Sequence, residues 1–393
     1  MTGVYVVAAK RTAIGSFGGA LKNFAPHQLA TSVMKAALEQ AQIAGTDVQH
    51  VVIGQVISTD PTDIYLSRVA SVNAGVDVST PAFNVNRLCG SGLQAIVSAA
   101  QVIQLGDAEV ALAGGAESMS RAPYIVPAMR FGAHMGDAQM QDMMLSALHD
   151  PFHRIHMGVT AENVAKQYNI SREEQDHLAY ESHVRALKAI DEGYFTSQIV
   201  PIVSKTRKGE VVFATDEHPR RDISLDALAS LKPYFVKDTG TVTAGNASGI
   251  NDGAGAVVLM SENALKSRQV KPLARLVAYA HAGVPPEIMG IGPIPATQKV
   301  LEKAGLSVQD MDVIEANEAF AAQALAVSKT LGFDPAKVNP NGSGIGLGHP
   351  VGATGAIITT KAIYELHRTQ GRYALVTMCI GGGQGIAAIF ERV

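Results

Sequence analysis

Residues Asn84 to Val97 read NVNRLCGSGLQAIV, and this stretch decides how the rest of the chain is understood. An extended segment runs into a cysteine, a Gly-Ser-Gly turn and a helix made apolar nearly all round by Leu93, Ile96, Val97, Ala100 and Ile103. A helix without a polar face has to be buried. Cys89 stands at its N-terminus, where free backbone N–H groups and the positive end of the helix dipole favour thiolate over thiol. The pattern predicts a lowered thiol pKa and a nucleophile; the alternative is a small cysteine that only packs.

Working outward, the same design occurs a second time. After the first helix comes GDAEVALAGGAES; Asn339-Pro340 leads through NGSGIGLGHPVGATG into an apolar helix over Ala356 to Leu366 and then GRYALVTMCIGGG. Upstream, ALEQAQIAGTDVQHVVIG from Ala37 parallels VLEKAGLSVQDMDVIEA from Val300, each a helix, a short linker and a strand. One α/β unit is therefore repeated in the same order. Glycine-ended β-branched runs from His50, Glu109, Gly255 and Tyr373 alternate with helical patterns such as QLATSVMKAALEQA from Gln28. The alternation predicts α/β layers around a largely parallel sheet.

The repeat divides the chain into a first half, residues 1–118 with 244–270, and a second half, 271–393. Between them, 119–243 reads as an inserted loop domain draped over the first half. Seven of the 13 methionines and six of the 12 histidines fall between Met119 and His183, a composition that suits an adaptable pocket wall or subunit contact. Ser171 and Glu174 form a capping-box start for a helix there.

Bulk properties bound the possibilities. The chain's 393 residues, 47% of them hydrophobic, can bury the cores of about two to three domains. Lys plus Arg (32) nearly balances Asp plus Glu (35) with no basic run, which argues against a nucleic-acid partner. The start MTGVYVVAAKRT is too short for a secretory apolar core, and no stretch supplies the roughly 20 uninterrupted apolar residues of a membrane span. A cytoplasmic location, no membrane, and two cysteines present as thiols are the expectations.

Four further positions could carry chemistry. Cys379 ends a strand and opens CIGGGQG, where bare backbone can approach an anion. A dinucleotide fingerprint at Gly383, Gly385 and Ala388 fails because a strand, not a helix, follows it. His349 is pinned between a glycine loop and a helix start, a setting typical of functional loop residues. Asn317 and Glu318 sit where a strand gives way to a helix and can face the crevice at the sheet's carboxyl end. His149, His153 and His156 hint at zinc, but Pro151 interrupts any helix aligning the first two, and no metal site is expected.

Taken in order, NRLCGSGLQAI, GGAESMSRAPY, TVTAGNASGINDGA, NEAFAAQ, NGSGIGLGHPVGATG and CIGGGQG resemble the thiolase family, within it the bacterial acetyl-CoA acetyltransferases and β-ketothiolases. The resemblance spans essentially the whole chain. It implies the thiolase fold, two similar βαβαβαββ halves in a five-layered αβαβα sandwich with an inserted loop domain. It implies an acetyl-CoA C-acetyltransferase that condenses two acetyl-CoA to acetoacetyl-CoA and CoA, and runs the reverse thiolysis, through acetyl-Cys89. His349 would activate Cys89, Cys379 would act as acid and base at the α-carbon, and Asn317 would hold a water that completes an oxyanion hole with His349. The N–H groups of Cys89 and Gly381 would form the other oxyanion hole. His156, Met157, Arg220 and Ser248 match positions lining the CoA channel, and Met289 one near the acyl group. CoA is substrate and product, no cofactor is implied, and family members are usually homotetramers built as dimers of dimers.

Claisen chemistry asks for that inventory: a covalent acyl acceptor, a base for a weakly acidic C–H, and donors at two carbonyl oxygens. Thiols, with an unperturbed pKa of about 8.5, can be tuned toward either role. Three other readings share parts of the pattern. A degradative 3-ketoacyl-CoA thiolase has the same residues and a different acyl pocket. A ketoacyl-carrier-protein synthase would carry a second histidine in place of the Asn317 and Cys379 roles. A silent acyl-CoA or lipid-binding relative would have no reason to keep both thiols.

Overall fold

The structure is a computed structural model that describes residues 2–207 and 209–393. The first half runs β1 (Val4–Thr12), α1 (Pro26–Ala41), β2 (His50–Gly54), α2 (Leu66–Asn73), β3 (Ala82–Val85), α3 (Ser91–Leu105), β4 (Val110–Ser118) and, after the insertion, β5 (Asn251–Ser261). The insertion contributes α4 (Met157–Gln167) and α5 (Arg172–Asp191), the latter opened by the Ser171/Glu174 capping box. The second half runs β6 (Ala274–Gly283), α6 (Pro293–Ala304), β7 (Val313–Ala316), α7 (Ala321–Leu331), α8 (Thr354–Thr369), β8 (Tyr373–Ile380) and β9 (Gln384–Arg392).

The repeat read in the sequence is a repeat in space. Strands of the first half lie in the order β1-β5-β4-β2-β3 and those of the second in the order β6-β9-β8-β7. Where the second half lacks a counterpart of β3, a single parallel bridge between Ile314 and Val338 takes the same place. The two half-sheets join through a three-residue pairing of β1 with β6, Val4 to Leu276, Tyr5 to Arg275 and Val6 to Ala274.

The expectation of a largely parallel sheet is overturned. Pairs β2/β3, β2/β4 and β7/β8 are parallel, whereas β1/β5, β5/β4, β9/β8, β6/β9 and β1/β6 are antiparallel. Each half ends with two neighbouring strands that run antiparallel, β4 with β5 across the insertion and β8 with β9 across a tight turn. In the second half Gly381-Gly382-Gly383 makes that return in one turn.

Alternating side chains on these strands separate three apolar layers. Val51, Leu112 and Val258 face Leu29, Val33 and Met34 of α1. Ile314, Leu375 and Ile389 face Ile294 and Val300 of α6. Between the half-sheets, Ala111, Val257, Val376 and Ile386 close on Leu93 and Ile96 of α3 and Ile363 and Leu366 of α8. The order is helix, sheet, helices, sheet, helix. Leu88–Leu105 is apolar enough by composition to cross a membrane, but this fold uses it as the central helix.

Where α3 and α8 cross, the backbones touch. A Cβ on Gly355 would lie 2.2 Å from the Leu93 nitrogen, and one on Gly92 2.7 Å from the Ala356 nitrogen, so neither position admits a side chain. The crossing brings together the N-terminal ends of both helices, and with them Cys89 and His349. The return of the insertion is fixed by Arg11 and Asp216, a fully buried bidentate pair with bonds of 2.7 and 2.9 Å.

Gly355→Ala must push the two central helices apart. We expect a cost of about 1–3 kcal/mol, seen as a lowered Tm in a thermal melt followed by circular dichroism. An unchanged Tm would show that the crossing is looser than described.

Candidate active site

A cleft of about 770 Å³ opens between the insertion and the two halves. Eight of the ten residues singled out in the sequence line it: Cys89, His156, Met157, Arg220, Ser248, Met289, His349 and Gly381. Asn317 and Cys379 lie immediately behind its wall. Asn317 touches His349, and Cys379 packs with Met157, Met289 and Phe320.

Cys89 is set by a turn the local sequence dictates. Asn86 Oδ1 accepts the Leu88 N–H at 2.9 Å, Ser91 Oγ accepts the Arg87 N–H at 2.9 Å, and Leu88 adopts a left-handed φ of 44°. A bulky residue at positive φ is strained and persists only where surrounding bonds enforce it. The backbone N–H groups of Gly381 and of Cys89 itself point at the sulfur.

The lowered thiol pKa expected from the helix end is corrected by the structure. Although the residue is partly open to the cleft, protein encloses its sulfur, and burial pushes the Cys89 thiol up to about 11. The two N–H groups act in the opposite direction without offsetting that desolvation, and the charge of Glu117 adds to it. Removing a thiolate from water costs more than those two N–H groups return. Cys379 is fully buried at the end of β8, and burial followed by the nearby Cys89 pushes its thiol up as well. Substrate-free, both groups are thiols at neutral pH and a separate base is needed.

His349 has the properties of that base. Burial holds its imidazole down to about 4, so the ring is neutral near pH 7. Its Nδ1 lies 2.7 Å from Thr354 Oγ1, whose own hydroxyl is donated to the Pro350 carbonyl at 2.9 Å. Thr354 can then only accept, which places the ring proton on Nδ1 and the lone pair on Nε2. Nε2 faces the Asn317 amide nitrogen at 3.4 Å. Asn317 is held by its own N–H to the Thr377 carbonyl and by Gln323 on its carbonyl, and its buried Oδ1 has no partner among the described residues.

Glu117, at the end of β4, stitches this centre together from below. Its carboxyl accepts N–H groups from Val56 and Gly352, both at 2.9 Å, and Ile57 at 3.2 Å. One buried carboxyl thereby ties the loop after β2 to the turn that carries His349. Burial pushes it up to about 8.

The outer cleft is apolar and aromatic. His156 caps α4, accepting the Gly158 N–H at 3.0 Å, and stacks on Phe235 at 4.6 Å. Met157 and Met289 form part of the wall beside Cys379, as an adaptable lining would. Arg220 is exposed at the rim, its N–H given to His183 Nδ1 at 3.2 Å, and the Ser248 N–H is given to the Ala319 carbonyl at 2.9 Å. His149 and His156 meet edge to face at 5.1 Å, and His153 bonds Asp150 at 3.0 Å. Among the described residues one group, His27, Asp60 and Asp63, has metal-like spacing, and Arg121 sits 3.5 Å from Asp60 there.

Against known proteins, residues 4–263 match the thiolase N-terminal domain and residues 270–392 the thiolase C-terminal domain. The chain belongs to the thiolase family. It is 68% identical over 390 residues to the beta-ketothiolase BktB of Cupriavidus necator, covering 99% of each chain. The solved acetyl-CoA acetyltransferase of Bacillus anthracis has a TM-score of 0.97 at 50% identity, covering 100% of this chain and 99% of that one. Human mitochondrial 3-ketoacyl-CoA thiolase in complex with CoA gives a TM-score of 0.96 at 47% identity, over 100% of this thiolase and 98% of that one. The thiolase resemblance and the thiolase fold expected from the motifs are borne out.

Sequence reasoning missed Thr354, Glu117 and Phe235. Thr354 and Glu117 sit inside quoted motifs, five residues after His349 and next to Ser118, but spacing alone does not show which backbone groups they meet. Phe235 lies in KPYFVKDTG, whose aromatic pair was the available signal.

The shifted Glu117 carboxyl makes a signed prediction. The folded protein keeps its proton to about pH 8, whereas an ordinary carboxyl loses it near 4.5, so this group lowers stability as pH rises across that interval. Glu117→Gln removes the decline. Its Tm relative to wild type should rise steadily from pH 5 to 8; a constant difference would refute the assigned protonation.

Proposed function

We propose that this thiolase is an acetyl-CoA C-acetyltransferase of the β-ketothiolase type, condensing two acetyl-CoA to acetoacetyl-CoA and CoA and catalysing the reverse thiolysis. The observation that carries the reading is the meeting, at one cleft, of the Cys89 thiol, the neutral His349 imidazole and the Gly381 N–H, with a second thiol directly behind. The names of its relatives agree with that chemistry, and the 68% identity to a beta-ketothiolase favours it over a purely degradative role.

In thiolysis, His349 Nε2 takes the proton of Cys89 as the sulfur attacks the 3-keto carbon of acetoacetyl-CoA. The N–H groups of Cys89 and Gly381 meet the oxyanion. The C2–C3 bond breaks, and the acetyl-CoA carbanion takes the proton of Cys379. A thiol raised by burial is suited to serve as that acid. Asn317, through a water held at its Oδ1, and His349 stabilise the enolate oxygen. Incoming CoA gives its proton to the Cys379 thiolate and attacks acetyl-Cys89, whose sulfur leaves with the proton from His349. Condensation is the reverse.

His156, Met157, Arg220, Ser248 and Met289 are assigned to the CoA and acyl path, and 119–243 to a CoA-binding domain. Slightly longer acyl groups fit the methionine-lined end. The residues supply each role, so no cofactor or metal is invoked. The need for two free thiols favours a reducing, cytoplasmic setting. A homotetramer is supported by exposed Phe83 on the edge strand β3 beside Ile64 and Tyr65, and by exposed Phe131, Met135 and Met140 of the insertion.

Loss of acetoacetyl-CoA in the presence of CoA, followed as magnesium-enolate absorbance, tests the reading. Cys89→Ala and Cys379→Ala should be inactive, and a fully active Cys89→Ala protein would sink it. Thr354→Val, which cannot hold the Nδ1 proton, should lose about 10²-fold or more in kcat, the scale of a positioned base. Thr354→Ser should stay close to wild type; equal losses in both variants would contradict the assigned tautomer.

A further inference from the structure

We propose that Asn251 is a positioning residue for His349, and that its carboxamide sets the histidine against the start of β5, the last strand of the first half. The inference rests on the reading of His349 as the base. Asn251 is the first residue of β5, fully buried, and absent from the cleft lining.

Three segments remote in sequence converge on this one side chain. Its Oδ1 accepts the backbone N–H of His349 at 2.9 Å. Its Nδ2 donates to the Gly15 carbonyl at 3.0 Å and faces His218 Nδ1 at 3.4 Å. His349 N–H can only donate and the Gly15 carbonyl can only accept, so the amide has one orientation that satisfies both. The same orientation presents N–H to His218 Nδ1. His218 donates its other nitrogen to the Ile345 carbonyl, which completes a neutral ring.

The approach is built for contact. Gly348 has φ +107°, and a Cβ there would lie 2.6 Å from Asn251 Cγ, so the turn before His349 rests directly on the amide plane. His349 is thus held at two points of different origin. Thr354, from its own helix, holds the ring, and Asn251, from the other half of the molecule, holds the backbone. Without the second, the ring would keep its tautomer and Glu117 would still tie Gly352, but the backbone of His349 itself would lose its side-chain anchor and its distance from Cys89 would loosen. A displacement on the order of 1 Å in a catalytic group can cost about 10²-fold in rate.

A residue that merely caps a strand would affect stability without separating kcat from KM. We expect Asn251→Ala to lower the kcat of acetoacetyl-CoA thiolysis about tenfold or more, with KM within about threefold because the residue does not line the cleft. Asn251→Asp keeps the acceptor toward His349 N–H while losing the donor to Gly15. It should regain kcat to within about threefold of wild type even with a lower Tm.

A folded Asn251→Ala protein with wild-type kcat overturns the inference, as do alanine and aspartate proteins that are equally slow. If the alanine protein does not fold, the aspartate protein decides alone by the same threefold criterion. His349→Ala serves as reference. Full activity there defeats the reading of the site itself, whereas an inactive His349→Ala beside a fully active Asn251→Ala defeats only the role given to Asn251.

Discussion

The contact on which the rest depends is the crossing of α3 and α8 at Gly92 and Gly355, where backbone meets backbone at distances no side chain permits. Helices that approach this closely have their relative position fixed by peptide groups and not by adaptable side chains. Because Cys89 immediately precedes one helix and His349 stands a turn before the other, the crossing sets the Cys89 thiol against the His349 imidazole. The repeated half gives each helix its own sheet to lean on, and the shared apolar layer between the sheets holds the pair in place. Two copies of one α/β unit, each unremarkable alone, produce at their junction a site that neither contains.

That junction is buried, and burial decides its electrostatics. Two aimed N–H groups argue for a thiolate, yet burial outweighs them and the Cys89 thiol is pushed up to about 11. The same burial holds His349 neutral, down to about 4. Neither group is charged at rest, and the proton moves only when substrate gives the developing anion somewhere to go. Aimed N–H groups then act where charge appears in the transition state, the arrangement in which such donors contribute most.

Much of this was legible in the sequence, because the strongest signals were repeated ones. The all-apolar helix after Cys89, its partner after His349, and the paired helix-linker-strand units gave two halves and an insertion, and six motifs in order gave the family. Strand direction was not legible in the same way. A β-branched run looks alike in either sense, and the antiparallel return of β5 along β4 and of β9 along β8 is a property of the fold. The thiol pKa was misjudged because dipole and local N–H groups are visible in a sequence while desolvation is a property of everything packed around the sulfur. Thr354, Glu117 and Asn251 were missed for a related reason. Each acts on a backbone group, and backbone partners leave no mark on residue type.

On the proposed mechanism, a buried, un-ionised Cys89 depends on His349 to lose its proton. The most direct test of that dependence is the single-turnover acetylation of Cys89 by acetoacetyl-CoA, followed by mass spectrometry from pH 7 to 10, in wild type and His349→Ala. We expect a deficit in the variant of about 10²-fold or more at pH 7 that shrinks about tenfold per pH unit as hydroxide supplies the thiolate directly. A deficit that stays constant across that range, or none at pH 7, would mean that Cys89 is already ionised and would contradict the account.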